Sequence, residues 1–310
     1  MKTILISGSC GFIGSHLCEF YLKMGLKVIG VDNLLTGSLI NIENFANHPD
    51  FKFIKHDICN DLFIKEKINY ILHFASTASP KDYLKYPIET LRIGSFGTEN
   101  MLKLAVKNNS TILVASTSEV YGDPLEHPQS ESYFGNVNSI GPRGVYDEAK
   151  RYLEALTIAY RNNKKLDVRI ARIFNTYGPM MRKDDGRVIP TFINQAINNE
   201  NFTVHGNGLQ TRSFSYIDDT ILGIHKLLFS NYQLPVNIGN PREYTINEVV
   251  GLIKSLIECN SKIKYGKLPE NDPKVRRPEI ELAKKILMWE PKTEFIEGLK
   301  KTIDYFYKIK

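Results

Sequence analysis

The chain has 310 residues, 42% of them hydrophobic and 24% charged, with a formal net charge of +6. That is an ordinary soluble composition, long enough for one large domain or two modest ones with a sizeable core. The mild positive excess suits a small anionic ligand and is too small and too scattered for a nucleic-acid surface, and no apolar stretch approaches the roughly 18 residues that cross a bilayer.

"TILISGS" is a short β run that leads into "CGFIGSHLCEFYLKMG", which has helical spacing. "KVIGVDN", "FKFIKHDI" and "INYILHFAS" are the next three expected strands. One helix, "PIETLRIGSFGTENMLKLAVKN", precedes the strand "STILVAS"; "YDEAKRYLEALTIAYRNN" is helical and "LDVRIARIFNTYG" is a strand. Strands alternating with helices predict an α/β fold with a doubly wound parallel Rossmann sheet. The alternation weakens after Gly178, where "RVIPTFINQAINN" and "TINEVVGLIKSLIE" predict helices, "FTVHG" and "VNIGN" short strands, and "FSYIDDTILGIHKLLF" a strand end running into a helix. The expected organisation is a nucleotide-binding domain over 1–175, returning segments near 213–240, and a smaller, mainly substrate-binding region over 176–310. Cys10, Cys18, Cys59 and Cys259 form no C-x-x-C pair and no metal-like spacing, so free thiols in a reducing compartment are expected, and no metal. The first apolar run starts at residue 4 and runs into glycines, unlike a signal peptide, and a cytoplasmic protein is expected.

In "GSCGFIG", Gly8, Gly11 and Gly14 lie between the first strand and the first helix. Glycines there permit a tight turn and close approach of backbone to a pyrophosphate, and the helix N-terminus presents unpaired N–H groups to it. Asp32 ends the next strand, where an acid accepts from both ribose hydroxyls and repels a 2′-phosphate, which favours NAD over NADP. Asp57, after the third strand, is placed either to accept from the adenine amino group or to cap a helix. Phe12 and Ile13 within the turn, and Asn33 and Ile58 beside the two acids, complete the expected cofactor-binding set.

"YDEAK" sets Tyr146 and Lys150 four residues apart, on one face of a helix. The Lys150 ammonium and a positive nicotinamide ring are expected to favour the phenolate, so that Tyr146 acts as a base near neutrality and also, with Lys150, contacts the cofactor. "STSEVYG" follows the strand "TILVA" and places Thr117, Ser118 and Glu119 at its end, where loops carry function.

These motifs together resemble the extended short-chain dehydrogenase/reductase family. The longer phrases "HFASTASPKDYLKYPIETL", "ASTSEVYGDPLEHPQSESY", "IGPRGVYDEAKR", "DDGRVIPTFINQA", "HGNGLQTRSFSYIDD" and "DPKVRRPEI" resemble its UDP-glucuronate decarboxylase (UDP-xylose synthase) branch, from residue 3 to about 305. The resemblance implies a UDP-sugar substrate, recycled NAD, no nucleic-acid or membrane partner, and a homodimer formed through 87–108 and 144–163. It implies that Thr117 and Tyr146 hydrogen-bond the sugar C4 oxygen and that Ser118 and Glu119 face C5 and the carboxylate. Asn175 is then expected near the phosphates, and Arg212 and Arg276 near the pyrophosphate or the reacting sugar, Arg276 as an acid or a clamp. Tyr83, Lys85 and Arg182 are further substrate-binding candidates. Gly94 stands where relatives usually carry an asparagine, which puts local rigidity in question.

A 4,6-dehydratase of this family supplies an Asp–Glu pair to expel the C6 hydroxyl; here Ser118 fills the first slot. Decarboxylation of a 4-keto glucuronate needs no leaving-group acid, because the electrons pass into the C4 oxygen. Glu119 then orients the sugar, disfavours the carboxylate by proximity, or organises the protonating water. A 4,6-dehydratase and a non-catalytic NAD-binding or RNA-associated member of the fold are the competing expectations.

Overall fold

The computed structural model of the protein describes residues 1–267 and 275–309. Six strands come first: β1 (Thr3–Ser7), β2 (Lys27–Asp32), β3 (Phe51–Lys55), β4 (Tyr70–His73), β5 (Thr111–Thr117) and β6 (Val168–Ile173). β7 (Thr176–Tyr177), β8 (Phe202–His205), β9 (Thr211–Ser213) and β10 (Ser215–Tyr216) follow outside the main sheet. β11 (Pro235–Ile238) then returns to pair with β6, and β12 (Glu243–Thr245) and β13 (Ile263–Gly266) pair with β9 and β8. The main sheet is seven-stranded and parallel, in the order β3-β2-β1-β4-β5-β6-β11. The fold is thus the expected doubly wound one. Sheet order reverses between β1 and β4, and in such sheets the crevice at the strands' carboxyl ends holds the ligand.

The helices are α1 (Phe12–Lys23), α2 (Pro80–Lys85), α3 (Pro87–Arg92), α4 (Thr98–Asn108), α5 (Gly144–Lys164), α6 (Val188–Ile197), α7 (Ile217–Leu228), α8 (Ile246–Leu256), α9 (Glu281–Leu287) and α10 (Phe295–Lys308). Strand side chains alternate between the sheet's two faces. Ile4, Ile6, Leu113 and Ala115 pack in one core with Leu17 of α1 and Ile224 of α7, whereas Leu5, Ile112 and Val114 pack in another with Met101 of α4 and Leu153 of α5. Both faces are covered, which is why these strands read as unbroken apolar runs. The first core runs on without a seam through Phe192 of α6, Phe202 of β8 and Val249 of α8. No helix among the described residues is long and apolar enough to cross a membrane.

Residues 87–108 are not one α-helix. Ile93–Gly97 between α3 and α4 is π-helical, with Gly94 in it. A Cβ on Gly94 would lie 2.7 Å from the Ala149 Cβ and 2.8 Å from its carbonyl oxygen. The position is closely packed. The absence of a side chain admits the backbone of α5, one residue before Lys150.

Candidate active site

The turn after β1 is built for close approach. Gly8 has φ +77°, and a Cβ on it would sit 2.7 Å from the Ala75 amide nitrogen; one on Gly14 would collide with the Gly8 carbonyl. Gly11 caps α1 without a side-chain hydrogen bond, leaving the first N–H groups of the helix for a ligand. Asp32 is buried at the end of β2 and accepts from the backbone N–H of Cys10 (2.9 Å) and of Leu34 (2.8 Å), tying its carboxylate to the glycine turn. A side pocket joins Gly8, Gly11 and Asp32 to Asn33, Asp57 and Ile58. In it Asp57 accepts from the Cys59 backbone N–H (2.9 Å) and the Asn33 side chain (3.3 Å). Phe12 and Ile13 line the main cleft. The cradle fits a dinucleotide: two glycines that tolerate no side chain, a helix N-terminus and an acid at the second strand's end.

That cleft, of about 860 Å³, opens over the carboxyl ends of β1, β4, β5 and β6. β5 delivers Thr117, Ser118 and Glu119 to it, and α5 delivers Tyr146 and Lys150. The Tyr146 hydroxyl is hydrogen-bonded to the Thr117 side chain. Lys150 donates to the Ala115 carbonyl (2.7 Å), and its ammonium lies 5.7 Å from the centre of the Tyr146 ring. The protein's own groups raise the Tyr146 pKa. Burial pushes it up, and so does the Glu119 carboxylate, against the weaker pull of Thr117 and of the Arg187 guanidinium. Lys150 is itself pushed down to about 8 by burial. Desolvation is the largest influence on both groups.

Glu119 is gripped on both sides. Arg143, at the start of α5, reaches one carboxylate oxygen at 2.5 Å, and Arg276 pairs with the other. Burial opposes the charge, but Arg276 and then Arg143 hold the carboxyl down at about 2. Arg276 is 2% exposed and also donates to the Gly122 carbonyl (2.6 Å). Its Nε–H has no hydrogen-bond partner among the described residues. Ser118, 3.5 Å from Arg276, completes the cluster.

Asn175, Arg182 and Arg212 line the same cleft. Asn175 donates to the Ser213 carbonyl (3.4 Å), and Arg182 is paired to Asp82 (2.7 Å). Arg212 donates to the Thr211 carbonyl (2.8 Å). Tyr83 is a buried wall rather than surface, stacked on Tyr146 with ring centres 5.2 Å apart. Lys85 is not brought to the cleft; it is exposed, with its ammonium 4.9 Å above the Tyr86 ring. The motif "DPKVRRPEI" is described only from Val275 onward; residues 272–274 lie outside the described residues.

Three further residues belong to this arrangement: Arg143, Arg187 (bidentate on Asp185, 2.5 and 2.8 Å) and Asp147. Only Arg143 carried a sequence signal, sitting three residues before Tyr146 and so one helical turn away from it.

The model of the family described as GDP-mannose 4,6 dehydratase matches residues 5–302. UDP-glucuronic acid decarboxylase 1 of Danio rerio is 48% identical over 305 residues, 98% of this chain and 72% of that protein. UDP-glucuronic acid decarboxylase 6 of Arabidopsis thaliana is 46% identical over 297 residues, 96% of this chain and 86% of that protein. Among solved structures, UDP-glucuronic acid 4-epimerase from Bacillus cereus, in complex with UDP-glucuronic acid and NAD, superposes with a TM-score of 0.88 at 26% identity, covering 99% of this chain and 100% of that one. UDP-glucose 4-epimerase of Thermotoga maritima gives 0.92 at 26% identity over 99% of both chains. The chain belongs to the GDP-mannose 4,6-dehydratase family of extended short-chain dehydrogenases/reductases, and within it to the UDP-glucuronic acid decarboxylases.

Proposed function

We propose that the chain converts UDP-glucuronate to UDP-xylose by C4 oxidation, loss of carbon dioxide from the 4-keto sugar, C5 protonation and re-reduction of C4. The observation that carries this beyond the relatives' names is the state of Glu119. It is the only acid in the turn after β5, and two arginines keep it ionised. It is therefore a poor donor to a departing C6 hydroxyl, which weighs against a 4,6-dehydratase. An intact Thr117, Tyr146 and Lys150 weighs against a non-catalytic member.

NAD fits the cradle of Gly8, Gly11, Gly14 and Asp32, where it would take hydride from C4, return it later, and place a positive ring beside Tyr146. The Tyr146 hydroxyl takes the C4 hydroxyl proton while Thr117 holds the same oxygen. With C4 a ketone, the C5–C6 electrons pass into that oxygen as carbon dioxide leaves, and hydrogen bonds from Tyr146 and Thr117 stabilise the enolate. Arg276, with its spare Nε–H, clamps the anionic substrate, a role that suits a permanently charged guanidinium better than that of an acid. Arg182, Arg212 and Asn175 serve the diphosphate.

The homodimer and the cytoplasmic setting belong to the same proposal. The first is supported by the exposed apolar residues of α3 and α5, the second by four unpaired cysteines. The test is UDP-glucuronate carrying carbon-14 at C6 and deuterium at C4. Labelled carbon dioxide and a pentose product that keeps its C4 deuterium are expected. Absence of carbon dioxide release, or dehydration of UDP-glucose to a 4-keto-6-deoxy sugar, overturns the reading.

A further inference from the structure

Three consecutive residues at the end of β5 are each tied to α5. The Ala115 carbonyl accepts from Lys150 (2.7 Å), the Ser116 hydroxyl donates to Glu154 (2.5 Å), and the Thr117 hydroxyl is bonded to Tyr146. The helix partners Tyr146, Lys150 and Glu154 stand four apart and so share one face. Two of these rungs hold the reacting pair. The third uses a glutamate that does not line the cleft and that the proposed reaction does not use.

This third rung is a polar break in an apolar pattern. Ile112 and Val114 pack in one core with Leu153 of α5, and strand alternation puts Ser116 on their face. In the sheet, Ser116 lies directly beside Arg172 of β6. Arg172 grips the Glu154 carboxylate with two hydrogen bonds, Nε to Oε1 (2.9 Å) and Nη2 to Oε2 (2.8 Å). Its Nη1 donates to the Tyr121 hydroxyl (3.0 Å) and the Glu131 carbonyl (3.1 Å). Both side chains of the pair are largely buried. A bidentate pair of this kind fixes geometry as well as charge. Glu154 is thus pinned to two strands at once, one helical turn beyond Lys150. The titratable groups facing Lys150 are Glu154 and Tyr146 on its own helix and His73 at the end of β4. Burial and then the lysine's charge push His73 down to about 3, so that group is neutral. Glu154 favours the ammonium against the effect of burial.

We propose that Glu154 is a positioning residue for Lys150: by tying α5 to the Ser116–Arg172 strand pair it sets the reach of the lysine to the Ala115 carbonyl, and it places a fixed negative charge one turn from the ammonium.

The inference rests on the roles of Tyr146 and Lys150 in the proposed decarboxylation, and the wild type tests that reading first: no carbon dioxide from UDP-glucuronate overturns it. The titration of Lys150, read from carbon-13 lysine spectra with Lys150→Arg to assign the signal, tests Glu154 without turnover. Glu154→Gln keeps a side-chain oxygen for Ser116 and removes the charge. Its Lys150 signal is expected to titrate below the wild-type value of about 8. The high-pH decline of NADH formation in single turnovers should move down with it, while NAD affinity changes less than about threefold. In a Lys150→Arg background the same substitution should leave the pH profile flat, because a guanidinium stays charged without help. Glu154→Asp keeps the charge and shortens the reach by one methylene. Its Lys150 should still titrate near 8, while NADH formation slows about tenfold from the displaced lysine. An E154Q protein whose Lys150 titrates as in wild type overturns the proposal. Should E154Q not fold, E154D decides: wild-type NADH formation overturns the proposal, and a slowed step with NAD affinity and Lys150 titration preserved supports it.

Discussion

Tyr146 and Lys150 were legible in the sequence because a four-residue spacing is a local rule that a helix enforces. Arg187 and the stacking of Tyr83, itself a named candidate, on Tyr146 were not. Tyr83 and Arg187 reach Tyr146 from α2 and from the loop before α6, and no spacing encodes that meeting. The rise that burial imposes on Tyr146 was illegible for the same reason, since it is set by how deeply the fold buries the ring. Removing only the hydroxyl leaves the stack on Tyr83 in place, so Tyr146→Phe is expected to fold and bind NAD as wild type while turnover falls about 10² to 10⁴-fold. Undiminished turnover would remove Tyr146 from the chemistry. Lys150 adds a pH limb. Its ammonium, with a pKa near 8, is present below that pH and lost above it, so a step that needs the cation should decline as pH rises through about 8. Lys150→Arg keeps the charge, and its profile should lack that limb. The stability sign is separate: between about 8 and the ordinary lysine value the unfolded chain holds a proton that the folded chain does not, so this group's contribution to stability rises with pH over that window.

The sheet strands could be read because parallel strands covered on both faces are continuous apolar runs. The short pairs outside the sheet could not: β7 and β10 have two residues each, too few for any periodicity to register. The break between α3 and α4 was missed because a run of helix formers with scattered glycines looks like one helix. The reason for the break is tertiary, namely the approach of α5 to Gly94. That contact makes Gly94 a strong test of how elements position chemistry. Gly94→Ala puts a methyl against the Ala149 backbone at a distance that real Cβ atoms do not adopt, so the π segment or α5 must shift. A loss of about 1–3 kcal/mol is expected in denaturant unfolding, as for other overpacked sites. Turnover should fall more than NAD affinity, because Lys150 is the residue after Ala149 whereas the glycine cradle is remote from the contact. An alanine variant as stable as wild type would show that the approach is not tight in solution.

For the whole molecule, the same helices present an apolar outer face. Ile88 and Leu91 stand three apart on α3 and are 68% and 42% exposed, with Phe96 of the π segment 56% and Tyr152 of α5 52% exposed. Residues three apart on a helix share a face, and α3 packs directly against α5, so these side chains fall on neighbouring surfaces. In the proposed homodimer this apolar patch is the expected association site, and a stable interface needs roughly 800 Å² from each partner. Two copies meeting there would form a four-helix packing related by a two-fold axis, each copy offering the same surface. Sedimentation velocity is expected to give twice the 35.4 kDa chain mass at micromolar concentration. Introducing Ile88→Glu and Phe96→Glu together sets like charges across the axis and should shift the protein to monomer. Neither substituted side chain lines the cleft. The monomeric variant should therefore keep turnover within about threefold, the effect of small shifts transmitted through α5. A wild type that sediments as a single chain, or a double variant that remains dimeric, would place the association surface elsewhere. A monomer that binds NAD but has lost turnover would instead show that pairing is what holds α5, and with it Tyr146 and Lys150, in register.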